Sequence, residues 1–390
     1  MQILRSSRWR EYGLPAGLLA VSMVTTTAIG ARFMQNFLDG LPTVVHESDL
    51  WPWPWLFAQP SRFLLGWPFS LALLTILLTH EFGHYFACRA HGIRSTLPWV
   101  LPAPTLSGTA GAVIQIRGRI PNRLALMDVG VYGPLAGYLA SLIVVAVGFL
   151  LSRVAPIHPD AGHPDLIGFG NSLTLSMVHS LLAQLYPATP AFALAVRHPV
   201  LVAGWVGLFI TSLNLMPAGQ LDGGHILYAF SPRVHRGFTF LMPIALLLGG
   251  FFFWVGWILW GALLLIPAMR HPRVPIDRSL GPKRLWLSVL ALAVLVLTFS
   301  YAPFANSSIL HYLESPRQPQ RPGPATSTGA PATGFFTSSV AATCRTFISR
   351  PWASKTSTHS IALVFGVASA KRTSAPPFAT TRSIAGSSSG

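Results

Sequence analysis

Apolar residues run along this chain in blocks too long and too continuous to be the buried faces of soluble helices. About 20 apolar residues are needed to cross roughly 30 Å of hydrocarbon. Stretches of that order lie at 14–33, 63–88, 124–151, 200–230 and 285–302, with a 30-residue stretch at 238–267. They predict an all-α polytopic membrane protein of about six transmembrane helices. One segment carries a different period. In GTAGAVIQIRGRIP, Ile114 and Ile116 alternate with Gln115 and Arg117 between glycines, which predicts a short re-entrant β segment near 108–121. The first stretch follows Arg5, Arg8 and Arg10 and ends in small residues, as a cleaved signal peptide does. Its apolar core is longer than usual for such a peptide, which favours an uncleaved helix. After Glu314 the blocks cease. Residues 315–390 are rich in Ser, Thr, Ala, Pro and Gly, and their single apolar run, Ile361 to Ala368, is too short to span. That composition predicts a disordered tail. The expected division is 1–62, an N-terminal helix and external loop; 63–314, a membrane core; and 315–390, the tail.

Composition sharpens this reading. Residues of the hydrophobic types make up 51% of the chain and charged residues 10%, well below the roughly 25% of soluble domains. Mean hydropathy is +0.52. The net charge of +16 does not indicate nucleic acid, because the basic residues sit between apolar blocks and report topology instead. With the N-terminus in the cytoplasm, 37–62 and 152–198 lie outside with Asp39, Glu47, Asp49, Asp160 and Asp165. The loops holding Arg89, Arg94, Arg117, Arg119 and Arg123, then Arg233 and Arg236, lie inside. A single span at 238–267 would place Arg270, Arg273, Arg278, Lys283 and Arg284 outside. A hairpin broken near Gly249-Gly250 keeps them inside and is the expected form. Cys88 lies in an apolar run and Cys344 in the tail, so no disulfide framework is implied.

The second stretch contains the chemistry: LALLTILLTHEFGHYFACRAHGI. On a helix His80 and His84 share one face, with Cβ atoms roughly 5–6 Å apart. Two imidazoles at that spacing can reach one Zn²⁺. Glu81, beside the first, can deprotonate a water at the metal. With 13 His and 4 Glu in 390 residues, chance supplies about 0.004 such motifs. Ionisable groups at membrane depth cost about 2.5–3.5 kcal/mol each and are by default functional. A tetrahedral site needs a further protein ligand. Asp222, in SLNLMPAGQLDGGHIL, approaches the same side as His80; Asp128, near the start of the third span, is its rival. Pro217, Gly219, Gly223 and Gly224 favour Asp222, because interrupted backbone at membrane depth is tolerated only around a protein or water-filled cavity.

HEFGH at 80–84, together with Asn214, Pro217, Leu221, Asp222 and Gly223, resembles the site-2 protease family of intramembrane zinc metalloproteases. Gly108-Thr109-Ala110-Gly111-Ala112, Gly133-Pro134-Leu135-Ala136-Gly137 and His271-Pro272 are similar to features of its bacterial members. The resemblance covers roughly 60–314. It implies a bundle of about six helices in which His80, His84 and Asp222 bind Zn²⁺ and Glu81 is the general base and acid. Asn214 would hold the substrate carbonyl, or else simply bond between helices. Residues 152–198 leave no room for the PDZ module of many relatives. His225 does not match a ligand position and is expected in a supporting role.

These residues imply an endopeptidase cutting transmembrane segments of membrane-anchored substrates near the cytoplasmic face. Its partners would be such a substrate and the lipid bilayer, with no nucleic acid. The expected location is a bacterial inner membrane. An ion or metal transporter would explain the intramembrane His, Glu and Asp but not the ligand spacing. A bis-histidine haem protein fails because two His on one helix face cannot bind opposite sides of one haem.

Overall fold

The computed structural model describes residues 9–154, 168–192, 195–266, 271–276, 278–305 and 307–314. The expectation of a disordered tail at 315–390 lies outside the described residues. The main helices are α1 (Leu14–Leu38), α2 (Trp67–Ala90), α3 (Arg123–Leu151), α4 (Leu173–Leu185), α5 (Pro199–Asn214), α6 (Asp222–Phe230), α7 (Pro232–Phe252), α8 (Gly256–Leu265) and α9 (Gly281–Thr298). Among the described residues, five apolar stretches are long enough to cross a membrane: Glu11–Leu38, Pro60–Ala90, Arg123–Leu151, Pro232–Phe252 and Gly281–Thr298. The chain is therefore an integral membrane protein, all-α in its spans.

Local signals explain where the spans begin and end. Pro15 and Pro68 sit in the first turns of α1 and α2, where a missing N–H is harmless. The Asn122 side chain accepts from Ala125 N at 3.0 Å and starts α3. Gly92, at φ 67°, turns the chain after α2. Helix α5 is apolar all round and nearly all buried, so it forms the centre of the bundle, packed on α2 and α3.

Two of the expected spans take a different form. The 200–230 run is two helices, α5 and α6, separated at 215–221 by a loop with Pro217 and with Gly219 at φ 58°. His235 on α7 holds this break by donating Nε2–H to the Gly219 carbonyl at 3.0 Å. The 238–267 stretch is a hairpin, as its charges require, but α7 and α8 part at 253–255 rather than at Gly249-Gly250. Gly250 lies against Ile258, where a Cβ would overlap. This glycine lets the arms approach and does not make the turn.

The hairpin keeps the basic residues together. Arg123 donates to the carbonyls of Ala229, Phe230 and Arg278, and Arg284 grips Asp128, so these groups gather at one end of the bundle. At the other end Thr174 bonds to the Leu297 carbonyl and Val255 N to the Ser307 carbonyl.

A β-hairpin inserts between α1 and α2. Strand β1 (Trp99–Pro102) pairs antiparallel with β2 (Thr109–Val113). The ladder resumes at a Ser95–Ile116 bridge. Ser22 on α1 donates to the Val100 carbonyl at 3.0 Å, and Thr25 to the Gly108 carbonyl at 2.6 Å. Both residues lie near the middle of the first span, so the hairpin is re-entrant. The sequence pattern indicated its second strand but not β1, whose Pro98 and Pro102 mask it.

Candidate metal centre

His80, Glu81 and His84 lie two-thirds of the way along α2 and are all buried. The 3.6-residue period stacks the two imidazoles, whose Nε2 atoms are 3.0 Å apart. Asp222 enters from the first turn of α6, with Oδ2 at 3.3 Å from His80 Nε2 and 3.2 Å from His84 Nε2. These three donor atoms form a near-equilateral triangle. Bonds of about 2.0–2.1 Å at tetrahedral angles place ligand atoms about 3.3 Å apart, so the triangle matches one face of a zinc tetrahedron. The donor set of two imidazole nitrogens and one carboxylate also suits zinc with an open fourth position.

The ligand atoms of His80, Glu81 and His84 all lie within 4.8 Å of one another, so Glu81 is beside the same centre. The Asn214 amide is 3.3 Å from His80 Nε2. The structure thus brings together all five residues that the sequence singled out. Asp128 is elsewhere engaged. It accepts from Arg284 Nε and Nη2 at 2.9 and 2.7 Å and pairs with His91 Nε2 at 2.8 Å. It ties α3 to α9 and to the end of α2, through Arg284 and not through its sequence neighbour Arg123.

Backbone groups complete the setting, and no side-chain signature in the sequence could have revealed them. His84 Nδ1–H donates to the Val129 carbonyl at 2.7 Å, which leaves Nε2 free for a metal. The Glu81 carboxylate accepts from the Ile114 N–H of the β-hairpin. His225 pairs with a second histidine. Its Nδ1 lies 2.8 Å from His271 Nε2, and His271 Nδ1–H donates to the Pro272 carbonyl at 2.7 Å. Burial, with His225 close by, pushes His271 down to about 3, so this ring is neutral and stacks on Tyr228.

The GPLAG segment has a steric role. A Cβ on Gly133 would overlap the His84 imidazole, and one on Gly137 would come 2.8 Å from His80 Nδ1. These glycines let α3 pack directly on the two rings. Gly133→Ala is expected to lower stability by about 1–3 kcal/mol through overpacking. By displacing His84 it should also weaken zinc binding by about 10–100-fold. Thermal melts and zinc titration check this; unchanged values for both would show that the ring has room to move.

Residues 68–256 match the family model "Peptidase family M50". This stretch of the chain is a Peptidase M50, or site-2 protease, domain. The match lies inside the 60–314 region that the motifs indicated and includes every residue of the centre. Among curated relatives, "Probable zinc metalloprotease EGY1, chloroplastic" of Arabidopsis thaliana is 33% identical over 243 residues, 59% of this chain and 42% of the relative. The EGY1 protein of Oryza sativa subsp. japonica is 37% identical over 177 residues, 44% of this chain and 29% of the relative. "Probable zinc metalloprotease EGY2, chloroplastic" of Arabidopsis thaliana is 29% identical over 292 residues, 69% of this chain and 47% of the relative. The chain thus spans less than half the length of these relatives. They are plant proteins, whereas the motifs alone suggested a bacterial type. No solved structure matches the chain.

Proposed function

We propose that this chain is an intramembrane zinc endopeptidase that cuts within a transmembrane segment of another membrane protein. The observation that carries the reading is the triangle of His80, His84 and Asp222 with Glu81 at its side, buried in an M50 domain. The transporter alternative gains no support from a peptidase family. In this reading His80, His84 and Asp222 hold the metal. Zinc, when bound, supplies Lewis acidity, which polarises a carbonyl and lowers the pKa of water. The Glu81 carboxylate takes the proton of the attacking water and hands it to the leaving amine. The Asn214 amide donates to the oxygen of the scissile carbonyl. Metal analysis of the detergent-purified full chain tests the proposal, with about one zinc per chain expected. A haem absorption band, or no transition metal after purification without chelator, would overturn it.

A peptide bond inside a helix is shielded, so the substrate must unwind. Thr96 N donates to the Gln115 carbonyl and Arg117 N to the Arg94 carbonyl, so the odd-numbered residues face the neighbouring strand. The even-numbered ones, Ala112, Ile114 and Ile116, then present their backbone to the other edge. That edge looks onto Glu81, and we propose that the unwound substrate pairs with it. Ala112→Pro or Ile116→Pro should reduce cleavage at least about tenfold while zinc content is kept. The side-chain change Gln115→Ala should have little effect. Full cleavage by both zinc-loaded proline variants would leave the hairpin as a cover over the site.

For the finer placement we propose that the N-terminus and both motifs face the cytoplasm, a reading to which the basic end of the bundle lends support through the positive-inside bias. The division into a first helix with its loop, a core at 63–314 and a tail remains part of the proposal. The membrane-tethered substrate and the bilayer are its partners.

A further inference from the structure

At the basic end of the bundle a cleft of about 780 Å³ opens between the turn preceding α1, the last turns of α2 and the base of the β-hairpin. Its charge is one-sided. Arg89, Arg94 and Arg117 line it, with Glu11 the one acid in the lining. Among the described residues none of the three arginines pairs with a carboxylate. Arg89 donates to the Tyr85 hydroxyl at 3.1 Å and lies over the same ring, 5.7 Å from its centroid.

The ladder makes this arrangement costly. Ser95 bridges to Ile116 in antiparallel register, and Arg117 N donates to the Arg94 carbonyl at 2.8 Å, so Arg94 and Arg117 stand directly opposite each other. Like charges at opposed ladder positions destabilise a sheet. Gly92, at φ 67°, turns the chain after α2, so Arg89 on its last turn lines the same space as Arg94. An anion held between the three guanidinium groups removes the repulsion, and their forked donors suit phosphate oxygens.

The position identifies the anion's carrier. The first span begins at Glu11 and the second ends at Ala90, so the cleft sits where the hydrocarbon meets the headgroups. Tyr12 and Tyr85 line it at that level, as aromatic residues do at a membrane interface. We propose that this cleft binds the phosphate of an anionic phospholipid headgroup. An acidic flank of a protein substrate is the weaker match, because flanks on the basic side of a span are themselves basic. The site is separate from the metal centre and independent of the proposed protease activity. It adjoins the strand that carries Ile114, so a lipid bound there braces the base of the hairpin.

Native mass spectrometry of the full chain in neutral detergent tests this with short-chain phosphatidylglycerol, the matching phosphatidylcholine, inorganic phosphate and an acidic peptide. One phosphatidylglycerol is expected to be retained per chain, with phosphatidylcholine held at least about tenfold less well. The double variant Arg94→Gln/Arg117→Gln should lose that preference. Arg233→Gln/Arg236→Gln, exposed at the same end but outside the cleft, should keep it. Zinc content and elution volume report that each variant is folded. Competition by millimolar inorganic phosphate would show the phosphate group to be the recognised element. Its failure to compete would show that the acyl anchor is also needed; both support the site. Equal retention of the two lipids, no effect of the double variant, an equal effect of the control variant, or displacement by the acidic peptide but not by phosphate would each overturn it.

Discussion

Glu81→Gln is expected to keep zinc and to lower cleavage of a reconstituted membrane substrate by at least two to four orders of magnitude, the usual contribution of general acid–base catalysis. The substitution preserves shape and removes only the proton acceptor. His80, His84 and Asp222 supply the metal triangle without it. The amide oxygen introduced by the substitution can still accept from the Ile114 N–H, so the hairpin should stay in place. By contrast, His80→Ala or His84→Ala removes a ligand, and zinc and activity should disappear together. Zinc content by elemental analysis, read beside a cleavage time course, separates these cases. Near wild-type cleavage by zinc-loaded Glu81→Gln would exclude Glu81 as the base.

Asp222→Ala should weaken zinc retention by more than about 100-fold, beyond the range typical of groups that merely orient a ligand. Asp128→Ala should leave zinc affinity within about tenfold of wild type. Its damage should instead appear in thermal stability, because it strands Arg284 and His91 at the junction of α2, α3 and α9. Removing one partner of a buried ion pair commonly costs about 3–5 kcal/mol; the partial exposure of Arg284 calls for a smaller loss. A zinc titration of the two variants decides between them. The opposite ranking would move the third ligand to Asp128.

The sequence was most readable where physics forces a single solution. Hydrocarbon thickness sets the length of a span, and the spans stood out. Helical periodicity places residues 80 and 84 on one face, so the pair was visible before any coordinates. The hairpin of α7 and α8 followed from the basic residues after it, although its turn did not, because Gly250 answers a packing need at Ile258. What could not be read were relations set by tertiary packing. Nothing near Asp128 in sequence points to Arg284, 156 residues away. The Val129 carbonyl and the Ile114 N–H act through backbone that every residue carries. Gly133 and Gly137 were visible as a motif, but their reason, contact with the imidazoles, needed the α2–α3 interface. Strand β1 was hidden by Pro98 and Pro102 and appears only through its antiparallel pairing with β2.

The proposed activity is hydrolysis of peptide bonds inside membrane spans by means of a zinc ion held at His80, His84 and Asp222. Mapping new peptide termini by mass spectrometry tests it directly. Proteoliposomes would hold a set of single-span membrane proteins with the wild-type chain or Glu81→Gln. The expected result is termini within the spanning segments for the wild type alone, abolished by a zinc chelator and restored by added zinc. Termini confined to soluble loops, or the same termini with Glu81→Gln, would contradict it.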